Sequence, residues 1–361
     1  MVDGSPARPA AGLAYRSLGS ISPRLSEAPT RLRRPSRATN AAPVVAVCRW
    51  RRNVHPSKPA LASGYGRLAL VPQAGVRSSS CVMGIAFVSP HLDDAVLSVG
   101  GLIGREAADG NSVEVVTCFT AGPPLESVPP KRRVFADYAA RRDEDARALG
   151  ILGASHRWLD LRERSWRDPP LFGPLQAFRT PDRIEDFIEL AAIRDVIAKL
   201  VDRGLVVYAP LGVGHHVDHV EVTLAAMSEL LKSRAFSQIR FYEDSYAMAR
   251  LPRRQHFVAK RRIWPWFGSP GWASPRIGAM LFLIGLSARG PRVDDYLPEI
   301  ARFDWTSESV PLSPMDEDRK LAAVAEYDSQ VKTFGGIHRV RPFLRRGHRI
   351  LDGELIWTCR P

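Results

Sequence analysis

The chain has 361 residues, 45% hydrophobic and 25% charged, a composition that permits a sizeable buried core and excludes collagen, coiled-coil and wholly disordered architectures. Its formal charge of +13 would suit a nucleic-acid partner only if it covered a folded face. Residues 1–82 hold 13 of the 51 basic residues against Asp3 and Glu27 alone, so 83–361 is nearly neutral with 38 basic against 36 acidic residues, and no specific nucleic-acid partner is expected. The longest apolar run, Ile277–Ala288, has 12 residues, short of the roughly 20 that a membrane-spanning helix needs. Cysteines 48, 81, 118 and 359 form no C-x-x-C pair, which argues against a disulfide framework or a cysteine zinc site and for a reducing, cytoplasmic setting.

In chain order, residues 1–82 are rich in Arg, Ser, Pro and Ala, with R-L-R-R-P-S-R at 31–37 and no sustained period. By composition this is a disordered extension. It is open to three readings: a solvated tail, an acid-poor targeting peptide, or translated sequence ahead of a start at Met83. One domain is expected over 83–361. Gly84–Ser89 reads as a buried strand, Asp94–Ala108 as a helix with Gly100, Gly101 and Gly104 for close packing, and Ser112–Thr120 as a second strand, together a βαβ unit. A charged helix over Arg141–Gly150 precedes a strand at His156–Leu161. A long helix is then expected from a capping box at Asp182 and Glu185, with Ile184, Phe187, Ile188, Ala191, Val196 and Leu200 on its apolar face and Gly204 ending it. Leu205–Ala209 is a fourth strand, 219–232 a helix, Gln238–Glu243 a strand, and a further helix opens at Ser313-Pro314.

Such alternation implies a Rossmann-like three-layer α/β/α domain with a mostly parallel sheet, whose ligands bind beyond the carboxyl ends of the strands at a switch in strand order. Ser89-Pro90-His91-Leu92-Asp93-Asp94 follows the first strand, and Gly214-His215-His216-Val217-Asp218-His219 follows the fourth. Histidine with carboxylate is the ligand set of a catalytic zinc. Either cluster alone would also suit a helix N-terminus or a solvated loop; two at matching strand ends point to one site. A basic stretch over Arg250–Arg262 with Trp264, Trp266 and Trp272 beyond it reads as an insertion at about 248–305, either a surface cluster or a lid for an anionic, lipidic or sugar-bearing substrate.

These motifs resemble the PIG-L/LmbE-like zinc-dependent deacetylases, whose two signatures read P-H-P-D-D-E and H-x-D-H: here P-H-L-D-D-A at 90–95 and H-V-D-H at 216–219. Arg142 and Glu144, the Tyr242-Glu243-Asp244 run, and Lys320 followed by Tyr327-Asp328-Ser329-Gln330 extend the likeness along 84–332. The resemblance implies that His91, Asp94 and His219 bind Zn2+ and that Asp93 is the general base. It further implies that His216 stabilises the oxyanion or protonates the leaving amine, with Asp218 orienting it by a hydrogen bond. Arg142 and His215 are candidate substrate contacts. Leu92 and Ala95 depart from the family pattern at positions assigned neither to metal nor to base. The activity implied is removal of an N-acyl group, acetyl above all, from an amino sugar or glycoconjugate. Alternatives are an amidase on a thiol conjugate or natural-product intermediate, and a non-catalytic metal-binding protein of the same fold. The oligomeric state is not legible.

Overall fold

The computed structural model describes residues 83–169, 171, 174–245, 250–261 and 286–361. The expected extension at 1–82, and the Trp-bearing part of the insertion, lie outside them. Within them, seven strands form one sheet in the order β3-β2-β1-β4-β5-β7-β6. They are β1 (Gly84–Ser89), β2 (Ser112–Ala121), β3 (Ser155–Arg162), β4 (Val206–Pro210), β5 (Ile239–Tyr242), β6 (Asp304–Val310) and β7 (Glu354–Arg360). The first five run parallel; β7 is antiparallel to both β5 and β6. This is the expected α/β class, and β1, flanked by β2 and β4, is where the strand order reverses.

Helix α1 (Asp94–Ala108) and α2 (Tyr138–Leu152) share one layer with a later helix, Pro314–Glu326. On the other face α3 (Leu190–Asp202) packs on α4 (Val217–Ser233). The central strands are apolar on both sides, as a doubly covered sheet requires. Phe87, Val88, Val207 and Ala209 are fully buried, and Phe87 stacks on Tyr208 with ring centroids 4.7 Å apart. Gly101 is needed for close approach: a Cβ there would lie 2.5 Å from the Leu312 side chain.

The expected helix from Asp182 is corrected. Ile184–Asp186 is a single 3-10 turn and the helix starts at Leu190. Its buried face is Ile193, Ile197, Leu200 and Val201, while Ile188 is 67% exposed. The cause is tertiary: the Glu221 carboxylate of α4 accepts the Glu189 N–H at 2.6 Å, fixing the helix start seven residues beyond the local capping signal. Gly204 does take the left-handed conformation after the last turn, with φ +78°. The helix at Pro314–Glu326 begins as expected, with Ser313 and Asp316 forming a capping box.

One buried histidine ties the described part of the insertion to the sheet. His256 Nδ1 accepts the backbone N–H groups of Val258 and Ala259, each at 3.2 Å, so Nε2 carries the proton and donates it to Leu211 O at 3.0 Å. Burial pushes this imidazole down to about 3. The folded chain therefore holds it neutral while the unfolded chain protonates it below its ordinary value near 6.5. The stabilisation is complete above that value and is lost as pH falls from about 6.5 toward 3. Between pH 7 and pH 5 this histidine should account for about 2 kcal/mol of lost stability. Urea unfolding at both pH values should show a shallower acid dependence for His256→Gln than for the parent; equal slopes would refute the assignment.

Candidate metal centre

The two strand-end motifs meet at the switch point. Asp94 opens α1 directly beyond β1, and His216 is the N-cap of α4 beyond β4. Both helices begin at the same place, so the positive ends of their dipoles face it. Asp94 Oδ2 lies 3.0 Å from His91 Nδ1 and 3.1 Å from His219 Nε2. Each histidine is held from behind by a buried carboxylate: His91 Nε2 is 3.0 Å from Asp218 Oδ2, and His219 Nδ1 is 2.6 Å from Asp244 Oδ1. Asp244 in turn accepts the Val213 N–H at 2.9 Å. One nitrogen of each ring is thereby committed, and the other converges on the same carboxylate oxygen. This is the arrangement in which outer carboxylates fix the tautomer and aim of metal-binding imidazoles. His216 joins them, its donor atoms lying with those of His91 and His219 within 4.8 Å of one another. The donors are imidazole and carboxylate, buried, and each backed by a second hydrogen bond, so the residues fit a zinc-type ion.

The electrostatics follow from burial opposed by neighbours. Burial would depress His219, yet Asp94 and Asp244 outweigh it and lift the ring to about 9. Burial would raise Asp94, but His219 and His91 hold it well below the usual carboxylate range. Asp218 is likewise held down against burial, by the His91 hydrogen bond and by Arg167. Asp93 goes the other way: burial and the adjacent Asp94 push its carboxyl well above the ordinary value, with Arg141 opposing. Its backbone has φ 135°, a region costly for any residue with a side chain. His216 is pushed down to about 3 by burial.

The reading of Asp218 is corrected. Its carboxylate serves His91, not His216, and lies 3.9 Å from His216 Nδ1. What orients His216 is the Asp218 backbone N–H, donated to Nδ1 at 3.3 Å, which leaves the proton of the neutral ring on Nε2. The two candidate substrate contacts have other partners. Arg142 donates to Thr120 O at 2.8 Å and pairs with Asp160. His215, at φ +67°, meets Arg289 O at 3.0 Å and Thr180 Oγ1 at 3.2 Å, turned toward the insertion. Glu144 is buried and accepts both N–H and O–H of Ser329, so the Tyr327–Gln330 run docks on α2: Tyr327 donates to Asp145 at 2.7 Å.

Sequence reasoning missed four supporting residues. Arg167 pairs with Asp218 and Glu221, each at 2.8 Å. Asp244 holds His219, and Glu163 forms a second group of possible metal donors with His91 and Asp218. Arg141, buried beside Glu163 at 3.5 Å, is the main cation opposing the rise at Asp93. Asp244 alone carried a signal, an acidic residue just past a strand end.

Fold and site together define a Rossmann-like domain with a histidine–carboxylate metal-type centre at its switch point. Residues 86–230 match the family model for PIG-L, GlcNAc-PI de-N-acetylase. A 1D-myo-inositol 2-acetamido-2-deoxy-alpha-D-glucopyranoside deacetylase of Actinosynnema mirum is 35% identical over 182 residues, covering 46% of this chain and 62% of that protein. Its counterpart in Tsukamurella paurometabola is 30% identical over 198 residues, 49% of this chain and 60% of that one. The chain thus spans about three-fifths of the length of these relatives. A teicoplanin deacetylase in complex with teicoplanin shares the fold, with a TM-score of 0.52 at 22% identity over 77% of this chain and 98% of that one.

Proposed function

We propose that this chain is a zinc-dependent hydrolase that removes an N-acetyl group from an amino sugar in a small glycoconjugate. The observation that carries the reading is the convergence of His91 and His219, each backed by its own carboxylate, on Asp94 Oδ2. The relatives act on an acetamido glucopyranoside of inositol, and that substrate class is the one carried over. His91, Asp94 and His219 would hold the ion. When bound, zinc supplies Lewis acidity toward an amide carbonyl and lowers the pKa of a water to about 7.

The protein groups do the rest. Asp93, its basicity raised by burial and by Asp94, takes a proton from the attacking water. His216, neutral and carrying its proton on Nε2, donates a hydrogen bond to the oxygen on which negative charge develops. The C–N bond then breaks, acetate leaves, and the proton held on Asp93 passes to the amine. Beside Asp218 a cavity of about 250 Å³, with Arg164, Arg179, Phe187 and Val217 in its wall, offers room for the remainder of a sugar conjugate. No helix among the described residues is long and apolar enough to cross a membrane.

The test is elemental analysis of the purified full chain beside His219→Ala, prepared without chelator, followed by acetate release from N-acetylglucosaminyl glycosides. The parent should carry about one zinc per chain and the variant little. A parent that takes up no zinc when it is resupplied would sink the metal centre. Zinc without hydrolysis of any N-acetyl sugar would favour the thiol-conjugate amidase reading or a non-catalytic metal-binding protein.

A further inference from the structure

Helix α1 is two helical segments. Val99 has φ −133° and ψ 27°, so Asp94–Ser98 and 100–108 meet at a break. A break leaves carbonyls unpaired at the end of one segment and N–H groups unpaired at the start of the next, and in a buried element they need partners from the protein. One ion pair from the last third of the domain serves both sides. Lys320 Nζ donates to Ser98 O at 3.3 Å, and the Glu354 carboxylate accepts Gly101 N–H at 2.9 Å and Leu102 N–H at 2.7 Å. Lys320 and Glu354 are joined at 2.7 Å, with both side chains 1% exposed. The third partner of Lys320 is His348 Nε2 at 3.2 Å; His348 Nδ1 meets Glu317 Oε1 at 3.0 Å. Burial and Lys320 push His348 down to about 2, consistent with a neutral ring that accepts from the ammonium and donates to Glu317. Ser98 Oγ also accepts the N–H of Ser245 at 3.1 Å, next to the Asp244 that holds His219.

The short segment Asp94–Ser98 thus opens on a candidate metal ligand directly after the candidate base Asp93, and at its other end is tied to the pair and, through Ser245, to the run beyond β5 that holds His219. A continuous helix would satisfy the same backbone groups by itself. A buried ion pair is a weak stabiliser compared with well-packed apolar residues, so stability alone does not account for a break filled by charges. Resting on the metal centre proposed above, we infer that Lys320 and Glu354 are positioning residues: they set the tilt of Asp94–Ser98, and with it the aim of Asp94 toward His91 and His219.

The experiment measures zinc affinity by competition with a chromophoric chelator, and the zinc-free thermal midpoint, on full-length parent, Lys320→Met, Glu354→Gln and the double variant. Each single variant strands a buried charge and should melt well below the parent. The double variant removes both charges and should recover most of the midpoint while its zinc affinity stays about tenfold weaker, the effect usual for outer-shell changes. Recovery of zinc affinity together with the midpoint would overturn the positioning role while leaving the metal centre intact. A parent that binds no zinc would remove the centre and this inference with it.

Discussion

Asp93→Asn should lower kcat by about 10²- to 10⁴-fold, the range for loss of a general base, with zinc content unchanged. The adjacent candidate ligand Asp94 and the cation Arg141 act in opposite directions on the carboxyl of Asp93. Its backbone adds a second, independent forecast. At φ 135° a residue with a Cβ is strained by about 1–3 kcal/mol, and glycine is free of that cost. Asp93→Gly should therefore melt higher than the parent while being as inactive as Asp93→Asn. Turnover and thermal midpoint moving in opposite directions would mark Asp93 as a residue kept for chemistry at the expense of stability. Retained turnover in both variants would remove it from the mechanism.

The parts of this fold legible in the sequence are those specified locally. β1 and α1 fall on the expected residues because an apolar run ends in a turn whose acidic residues suit a helix start. The two motifs that carry the candidate ligands were legible because each is contiguous and each sits at a strand end. β6 was not: D-W-T-S-E-S-V buries only Trp305, so at the sheet edge its pattern lacks the apolar run that marked the central strands. The antiparallel return of β7 depends on pairing over long sequence distance, which no local signal encodes. The same separation hid the outer carboxylates and cations. Arg167 and Glu163 stand in a mixed-charge run whose sequence singles out neither, Asp244 offered only its place just past a strand end, and only the folded chain brings them to His91 and His219. The Asp218 assignment shows the limit most clearly. The motif placed this carboxylate two residues from His216, but on the first turn of α4 its side chain faces His91 and Arg167 instead.

Arg167→Met should be the most destabilising single change at the site, costing about 3–5 kcal/mol, because it leaves two buried carboxylates without their cation. The guanidinium donates to Asp218 and Glu221 at 2.8 Å each and to Arg162 O at 2.6 Å, and lies 4.7 Å over the Phe119 ring. Asp218 would keep His91 and the Arg164 N–H, but Glu221 would keep only the Glu189 N–H. Burial already pushes Glu221 up to about 7 with Arg167 opposing the rise, so removing the arginine pushes it further. The sign follows. A carboxyl raised above its ordinary value near 4.5 favours the folded state when protonated, and this contribution is lost as pH rises through about 7. The variant should therefore lose more stability between pH 6 and pH 8 than the parent does. Arg167→Met/Glu221→Gln should remove that excess and recover part of the midpoint, since one uncompensated charge is gone. Zinc affinity should remain weakened by about 10- to 100-fold in both variants, because Asp218, which aims His91, has still lost its cation. Thermal melts at the two pH values, paired with zinc competition, separate these effects. A double variant that regained full zinc affinity would show that Arg167 supports the fold through Glu221 alone and plays no part in aiming His91.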